Sequence, residues 1–114
     1  IVALGANDGL RGTSVAAMRT NLEEIVGRLR AGGARVLLAG MRVPPNYGED
    51  FAREFAAVFP DVARRTGVAL MPFLLDGVAA DPSLNQGDGI HPNADGHRVI
   101  ADRIWLHLRP LLRK

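Results

Sequence analysis

The sequence predicts an α/β fold, a three-layer α/β/α unit with a parallel sheet, and two observations lead to this prediction. Three short apolar runs, at residues 1–4, 35–41 and 68–73, alternate with longer segments whose apolar residues recur at helical spacing. Loops that contain glycine or proline separate them. Because strands that alternate with helices are joined by right-handed crossovers, they form parallel sheets covered on both faces. We therefore expect three parallel strands.

The length and composition are those of one ordinary globular domain, residues 1–114. Of the 114 residues, 47% are hydrophobic and 23% are charged, and the net charge of +2 comes from scattered arginines. No basic run marks a nucleic-acid partner. The absence of cysteine excludes disulfides and thiolate metal sites. No apolar run approaches the roughly 18 residues of a transmembrane segment.

Two helices are predicted between the strands. The first covers residues 14–30, where apolar residues follow helical spacing and glycines stop the pattern. The second is expected to begin with Asp50 as its N-cap and to end at Gly67. Pro60 lies inside its apolar pattern, which predicts either a kink or two abutting helices.

A last helix is predicted from Asn93, its expected N-cap, to about Leu108. Its inward-facing residues are expected to be Val99, Ile100, Ile104 and Leu108, with Trp105 as a further candidate.

The loops after the strands are expected to meet at one edge of the sheet. Ligands of open parallel sheets bind at the carboxyl ends of the strands. Residues 5–9, residues 42–48 and the loop after Phe73 all leave from that edge. The turn at residues 88–91 is close enough in sequence to join them, so the sequence predicts a site at this rim.

That turn, Asp88-Gly89-Ile90-His91, places a carboxylate three residues before an imidazole. A general base needs a pKa near neutrality, which histidine has without tuning. It also needs a group that fixes its tautomer, and a carboxylate on the same short loop meets that need. The spacing alone leaves open whether Asp88 and His91 catalyse a reaction or only cap a helix and face solvent.

A second motif, Gly5-Ala6-Asn7-Asp8, follows the first predicted strand. A glycine lets the backbone turn tightly, and the Asn7 amide could then donate a hydrogen bond to the oxyanion of an acyl-transfer transition state. Alternatively, Asn7 and Asp8 bond to their own backbone in a turn at the strand end.

Together the two motifs resemble those of the SGNH (GDSL-type) hydrolases. Gly5-x-Asn7-Asp8 is similar to the third conserved block of the family, and Asp88-x-x-His91-Pro92 to its fifth. The Met-Arg-Val-Pro-Pro-Asn-Tyr-Gly loop that begins at position 41, with residues 51–73 after it, is similar to the bacterial branch of thioesterases, arylesterases and lysophospholipases. The resemblance covers nearly the whole chain and implies the flavodoxin-like parallel sheet of that family.

The resemblance also implies a serine ester hydrolase without a metal or other cofactor, acting on a small ester or thioester with an acyl chain. His91 is then the general base, Asp88 the carboxylate that orients it, and Asn7 an oxyanion-hole donor. Gly5 shapes that loop, and Asp8 is a structural partner within it. A serine attacks the acyl carbonyl, and water assisted by His91 releases the acid from the acyl-enzyme. The resemblance favours a periplasmic or secreted location, which the residues themselves leave open.

The nucleophile is where the sequence departs from the family pattern. The family carries it in a Gly-Asp-Ser-Leu turn upstream of the third block, and its second oxyanion donor also lies upstream. The chain contains two serines, Ser14 and Ser83, and neither lies in a segment that resembles a nucleophile turn. Ser14 is expected to start a helix and Ser83 to lie in a loop. We therefore expect these 114 residues to be the carboxyl-terminal part of a hydrolase domain, inactive alone and partnered by an amino-terminal segment of the same protein.

Two other classes of protein are alternatives to this hydrolase. One is an inactive α/β binding or assembly module. The other, a nucleotide-binding half-domain, is disfavoured because no G-x-G-x-x-G or Walker-type loop follows a strand.

Four further residues, two histidines and two residues of one loop, are considered for a role in the site. His97 and His107 have no acidic partner or metal-binding pattern and are interpreted as surface or partly buried residues. Pro44 and Tyr47 either line an acyl pocket or only stiffen a surface loop.

Overall fold

A two-stranded parallel sheet and two helices that pack against it and against each other form the amino-terminal part of the structure. The structure, a computed structural model, describes residues 1–5 and 14–112. The chain divides into two compact units, Ile1–Phe73 and Leu74–Lys114. That residues 1–114 form one domain stays a prediction.

Strands β1 (Leu37–Ala39) and β2 (Ala69–Met71) pair in parallel, with Leu38 opposite Leu70. The predicted parallel α/β arrangement is confirmed, although both strands are shorter than the apolar runs that contain them. The runs are longer because burial continues past the ladder: Val36 is buried without belonging to a strand.

The first predicted strand needs a correction, because only Val2 in it pairs. The N–H of Val2 donates to the Leu37 carbonyl (2.8 Å), and the N–H of Ala39 donates to the Val2 carbonyl (2.9 Å). Val2 is buried, but Ile1 and Leu4 are 61% and 51% exposed. An apolar run therefore became a single bridge, since apolar composition does not by itself supply hydrogen-bonding partners along a ladder.

Helix α1 (Val15–Ala31) confirms the first predicted helix. The Ser14 hydroxyl oxygen accepts the N–H of Ala17 and caps the helix at its start. Met18, Leu22 and Val26 are buried at intervals of four residues, which places them on one stripe facing the core.

Helix α2 (Glu49–Thr66) begins at Gly48, so the prediction of Asp50 as its N-cap is wrong. Gly48 has φ 102°, a conformation open mainly to glycine, and this lets the chain enter the helix two residues earlier than expected. The helix continues through the exposed Pro60, so the alternative of two abutting helices is also wrong. It ends, as predicted, at Gly67 in the left-handed conformation.

The core of the first unit lies where α1 and α2 cover the sheet. Phe55 and Phe59 are fully buried and meet edge to face, with ring centroids 5.6 Å apart. They join the buried stripe of α1 and the β1 residue Leu38 in one apolar cluster. Burying side chains of this size contributes roughly 1.5–3 kcal/mol each, so this cluster stabilises the sheet.

The second unit contains turns, 3₁₀ helices at Pro82–Leu84 and Arg109–Leu111, and helix α3 (Ala94–Leu108). Asn93 caps α3 as predicted. Ile100 is buried, but Trp105 is 48% exposed, so its predicted inward packing is wrong. Five residues of α-helix rotate the chain by about 140° beyond a full turn, which places Trp105 away from the stripe of Ile100.

Gly96, in the first turn of α3, lies against the backbone of Leu84. A Cβ atom added to Gly96 would stand 2.1 Å from the Leu84 carbonyl oxygen, a distance at which the two segments must separate. The absence of a side chain therefore allows the helix to start against this carbonyl.

Gly96→Ala is expected to lower the free energy of unfolding by about 1–3 kcal/mol, through overpacking. The matched control is Gly27→Ala in α1, where nothing lies within 4 Å of the added Cβ. That change should stabilise by up to about 1 kcal/mol, because alanine favours the helix. Denaturant unfolding of the polypeptide that carries both helices measures the two shifts. Shifts of the same sign would contradict the close contact at Gly96.

Candidate functional site

Asp88 and His91 form a short, self-contained pair on the turn before α3. The Nδ1 atom of His91 lies 2.6 Å from Oδ2 of Asp88. The other carboxylate oxygen, Oδ1, accepts the N–H groups of Ile90 (3.0 Å) and His91 (3.1 Å). Both oxygens of Asp88 are thus used within four residues, and the imidazole and the carboxylate are held in one geometry.

The hydrogen bond from the His91 side chain, followed by those from the backbone of Ile90 and His91, lowers the pKa of Asp88 from 3.8 to about 2. Asp88 is therefore a carboxylate at neutral pH and can only accept hydrogen bonds. The hydrogen between the two side chains consequently belongs to Nδ1 of His91. This leaves the Nε2 atom of a neutral imidazole with its lone pair, the state that a general base requires.

The two ends of the turn are tied together as in a β-hairpin. Asn85 and Pro92 form an antiparallel bridge. The N–H of Gln86 donates to the His91 carbonyl (2.7 Å), and the Gln86 side chain donates to the Pro92 carbonyl (3.2 Å). Gly89 has φ 74°, which closes the tip of the turn. The sequence motif did not reveal these ties, because each of them joins the end of the motif to residue 85 or 86, which lies before it.

An open cavity of about 270 Å³ flanks this turn. Its lining residues all come from the segment before His91: Ala80, Asp81, Pro82, Asn85, Gln86, Gly87 and Gly89. The imidazole of His91 is itself 66% exposed. A small molecule can therefore approach the pair from solvent.

The second motif is described only at Gly5. Its φ of 107° is open mainly to glycine, and an added Cβ would lie 3.3 Å from the Met18 sulfur. Asn7 and Asp8 lie outside the residues that the structure describes. The structure thus brings Asp88 and His91 together, and the roles of Gly5, Asn7 and Asp8 remain predictions.

The loop before α2 carries Pro44 and Tyr47 on its surface. The N–H of Tyr47 donates to the Pro44 carbonyl (3.1 Å), which starts the 3₁₀ helix Pro45–Tyr47. Both side chains are exposed. Their assignment to an acyl pocket stays a prediction.

Both serines have local hydrogen-bonding partners. Ser14 caps α1, and the Ser83 hydroxyl donates to Oδ1 of Asp81 (2.7 Å). Of the other two histidines, His97 is exposed and His107 is half-buried. Within residues 1–5 and 14–112, no three His, Cys, Asp or Glu side chains gather as a metal site would require. In that same part of the chain, no helix is long and apolar enough to cross a membrane.

A parallel α/β fold with a carboxylate–imidazole pair before its last helix is the arrangement that the motifs predicted for an SGNH hydrolase. The sequence model of the GDSL-like lipase/acylhydrolase family matches residues 1–99. The chain belongs to this family, which confirms the predicted resemblance.

Two curated relatives match nearly the whole chain. Esterase TesA of Pseudomonas aeruginosa is 41% identical over 112 residues, which are 98% of this chain and 56% of that protein. Thioesterase 1/protease 1/lysophospholipase L1 of Escherichia coli strain K12 is 39% identical over 112 residues, 98% of this chain and 54% of that protein. The chain therefore spans about half the length of the curated relatives it matches.

A solved structure confirms the fold. The crystal structure of TesA superimposes with a TM-score of 0.92 at 41% identity, over 98% of this chain and 63% of that one. The prediction of the SGNH hydrolase fold is thereby confirmed.

Proposed function

We propose that the polypeptide carrying these residues is a serine ester hydrolase that forms an acyl-enzyme, with His91 as its general base. The observation that carries this proposal is the 2.6 Å contact between Nδ1 of His91 and ionised Asp88. It orients the imidazole and leaves Nε2 free to take a proton. Membership of the lipase/acylhydrolase family gives that base an ester as its substrate.

In the proposed mechanism two protons pass through Nε2 of His91, one when the acyl-enzyme forms and one when it is hydrolysed. Nε2 takes the proton of the serine hydroxyl as the serine oxygen attacks the acyl carbonyl, and the imidazolium that forms is stabilised by the negative charge of Asp88. The same proton then passes to the leaving alcohol or thiol. Water then attacks the acyl-enzyme and gives a proton to Nε2; this proton passes to the serine oxygen as the bond from the serine to the acyl carbon breaks, which releases the carboxylic acid and restores the serine.

The nucleophilic serine is proposed to lie elsewhere in the same polypeptide, in a Gly-Asp-Ser-Leu segment upstream of these residues. Ser14 and Ser83 support this proposal because their hydroxyl groups already serve as a helix cap and as a donor to Asp81. The relatives, which are nearly twice as long as the chain they match, have room for such a segment. Residues 1–114 alone are accordingly proposed to be inactive.

The substrate is proposed to be a small ester or thioester with an acyl chain. The support is the names of the two relatives, one an esterase and one a thioesterase and lysophospholipase. Pro44 and Tyr47, which are exposed on one loop, remain the candidates for contact with the acyl chain of the substrate.

A fluorophosphonate probe, which reacts with activated serines, tests this function. Peptide mapping of the labelled full polypeptide should place the probe on one serine outside residues 1–114. The labelled protein should lose hydrolysis of p-nitrophenyl esters and acyl thioesters in step with labelling. Labelling of Ser14 or Ser83 would contradict the assignment of the nucleophile. Absence of both labelling and hydrolysis would favour an inactive binding module.

Asn7→Ala is expected to lower kcat by roughly 10²–10³-fold and to change KM much less. An oxyanion-hole donor acts mainly on the charge of the transition state, so its loss affects turnover more than substrate binding. Steady-state hydrolysis of a p-nitrophenyl ester measures both constants. A rise in KM with unchanged kcat would make Asn7 a binding or structural residue.

A further inference from the structure

Asn93 connects α3 to the segment that frames the Asp88–His91 turn. Its Oδ1 accepts the N–H of Gly96 (2.9 Å) and caps the helix. Its Nδ2 donates to the carbonyls of Ser83 (2.9 Å) and Asn85 (3.3 Å). Its main-chain N–H donates to the Leu84 carbonyl (2.9 Å). One residue therefore supplies the hydrogen bonds of three successive carbonyl groups.

Helix capping alone does not require an asparagine at position 93. Serine and aspartate cap helices about as well, because each supplies a short side-chain oxygen. Of these three capping residues, only asparagine also carries an NH₂ group, which can donate two hydrogen bonds. An aspartate at position 93 would instead point an oxygen at the carbonyls of Ser83 and Asn85. The NH₂ group of Asn93 thus serves the contact with residues 83–85, and its Oδ1 atom serves the cap.

The segment that Asn93 holds is anchored on its other side as well. Asn85 is buried, and its Nδ2 donates to the carbonyls of Val78 and Asp81, both at 2.8 Å. Asn85 also forms the bridge to Pro92. Residues 83–85 are therefore held between the preceding turns and the start of α3.

His91 lies inside this frame. Its carbonyl accepts the N–H of Gln86, and the next residue, Pro92, belongs to the bridge with Asn85. Both sides of the turn thus depend on residues 83–86 and 92–93 keeping their separation. Loss of the Nδ2 hydrogen bonds of Asn93 would let these two segments move apart. This change would occur two positions after His91 in the chain.

We propose that Asn93 is a positioning residue for His91, holding the imidazole in register through its amide bonds to residues 83–85. This inference rests on the proposed hydrolase function. In the proposed mechanism, Asn93 contacts neither the substrate nor the nucleophile. It acts only through the position of His91. Misplacing a catalytic group by about 1 Å can lower turnover by roughly 10²-fold.

Asn93→Ser and Asn93→Asp test the proposal, because both keep a capping oxygen and lose the amide. In the full polypeptide, each is expected to lower kcat for ester hydrolysis by about 10–100-fold, with KM changed by less than about twofold. The rate of fluorophosphonate labelling should fall in parallel. An effect in Asn93→Asp alone would trace the loss to the new charge and would overturn the proposal.

Ser14→Ala is the matched control. It removes the N-cap of α1, and so lowers the melting temperature, and it changes no residue of the turn or of its frame. Its kcat should equal that of the wild type at temperatures where the protein is folded. If the Asn93 variants likewise lose only melting temperature and keep their kcat, Asn93 is merely structural.

Amide hydrogen exchange separates this inference from the proposed function. In both Asn93 variants, exchange of the N–H groups of Gln86, Ile90 and His91 should accelerate by at least about tenfold, and that of the α1 amides should not. Unchanged exchange at these three amides would overturn the inference. Accelerated exchange in a polypeptide whose wild type hydrolyses no ester would contradict the proposed function and leave the positioning of His91 by Asn93 supported.

Discussion

Replacing His91 with alanine is expected to lower kcat for ester hydrolysis by at least about 10⁴-fold. Without the imidazole, no group on the turn takes the proton from the serine or returns it to the leaving group. Steady-state hydrolysis of a p-nitrophenyl ester by the full polypeptide measures the loss. The melting temperature should change only by what the surface hydrogen bond to exposed Asp88 contributes, because the His91 side chain is itself exposed.

His97→Ala is the matched control for this variant. His97 is also an exposed histidine, in the first two turns of α3, and it lies outside the proposed catalytic machinery. Its replacement should leave kcat at the wild-type value. Turnover like that of the wild type in His91→Ala would end the interpretation of His91 as the general base.

Asp88→Asn is expected to lower kcat by up to about 10⁴-fold, although the side chain keeps its shape. The amide can place its NH₂ group where Oδ2 accepts the Nδ1 hydrogen of His91. Nδ1 would then accept rather than donate, and the imidazole hydrogen would move to Nε2. A base with a hydrogen on Nε2 cannot take the serine proton, so the tautomer alone accounts for the loss.

The control for this change is Asp95→Asn, the same replacement in the first turn of α3. Asp95 is exposed and accepts a hydrogen bond from Arg98 (2.8 Å) rather than from a histidine. An ion pair at the surface contributes little, so turnover should be unaffected. Equal losses of kcat in both variants would show that a general change of charge, and not the tautomer of His91, lowers the rate.

The low pKa of Asp88 also predicts how stability depends on pH. A carboxyl group whose pKa falls from 3.8 to about 2 on folding stabilises the folded state above about pH 4, and this contribution is lost as the pH falls towards 2. The difference in melting temperature between wild type and Asp88→Asn should therefore be constant above about pH 5 and shrink below it. A difference that changes near neutral pH would assign the titration to another group.

The parts of this protein that could be predicted from the sequence depend on neighbours along the chain. The bounds of α1, the cap at Asn93 and the stop at Gly67 follow from backbone groups one to four residues away. The pairing of Asp88 with His91 is local in the same sense, because the two residues are three positions apart on one turn. Short-range geometry leaves few alternatives at such positions, and residue type selects among them.

Other features depended on groups distant in the chain, and these were mispredicted or missed. Residues 1–4 pair only at Val2, because a strand needs a partner ladder as well as apolar side chains. Trp105 is exposed because its direction depends on where α3 meets the rest of its unit. The three carbonyls held by Asn93 lie eight to ten residues before it, and no local pattern marks that contact. The sequence thus identified the imidazole and its carboxylate, whereas the frame that holds them arises only when the segments before and after the turn come together in the folded chain.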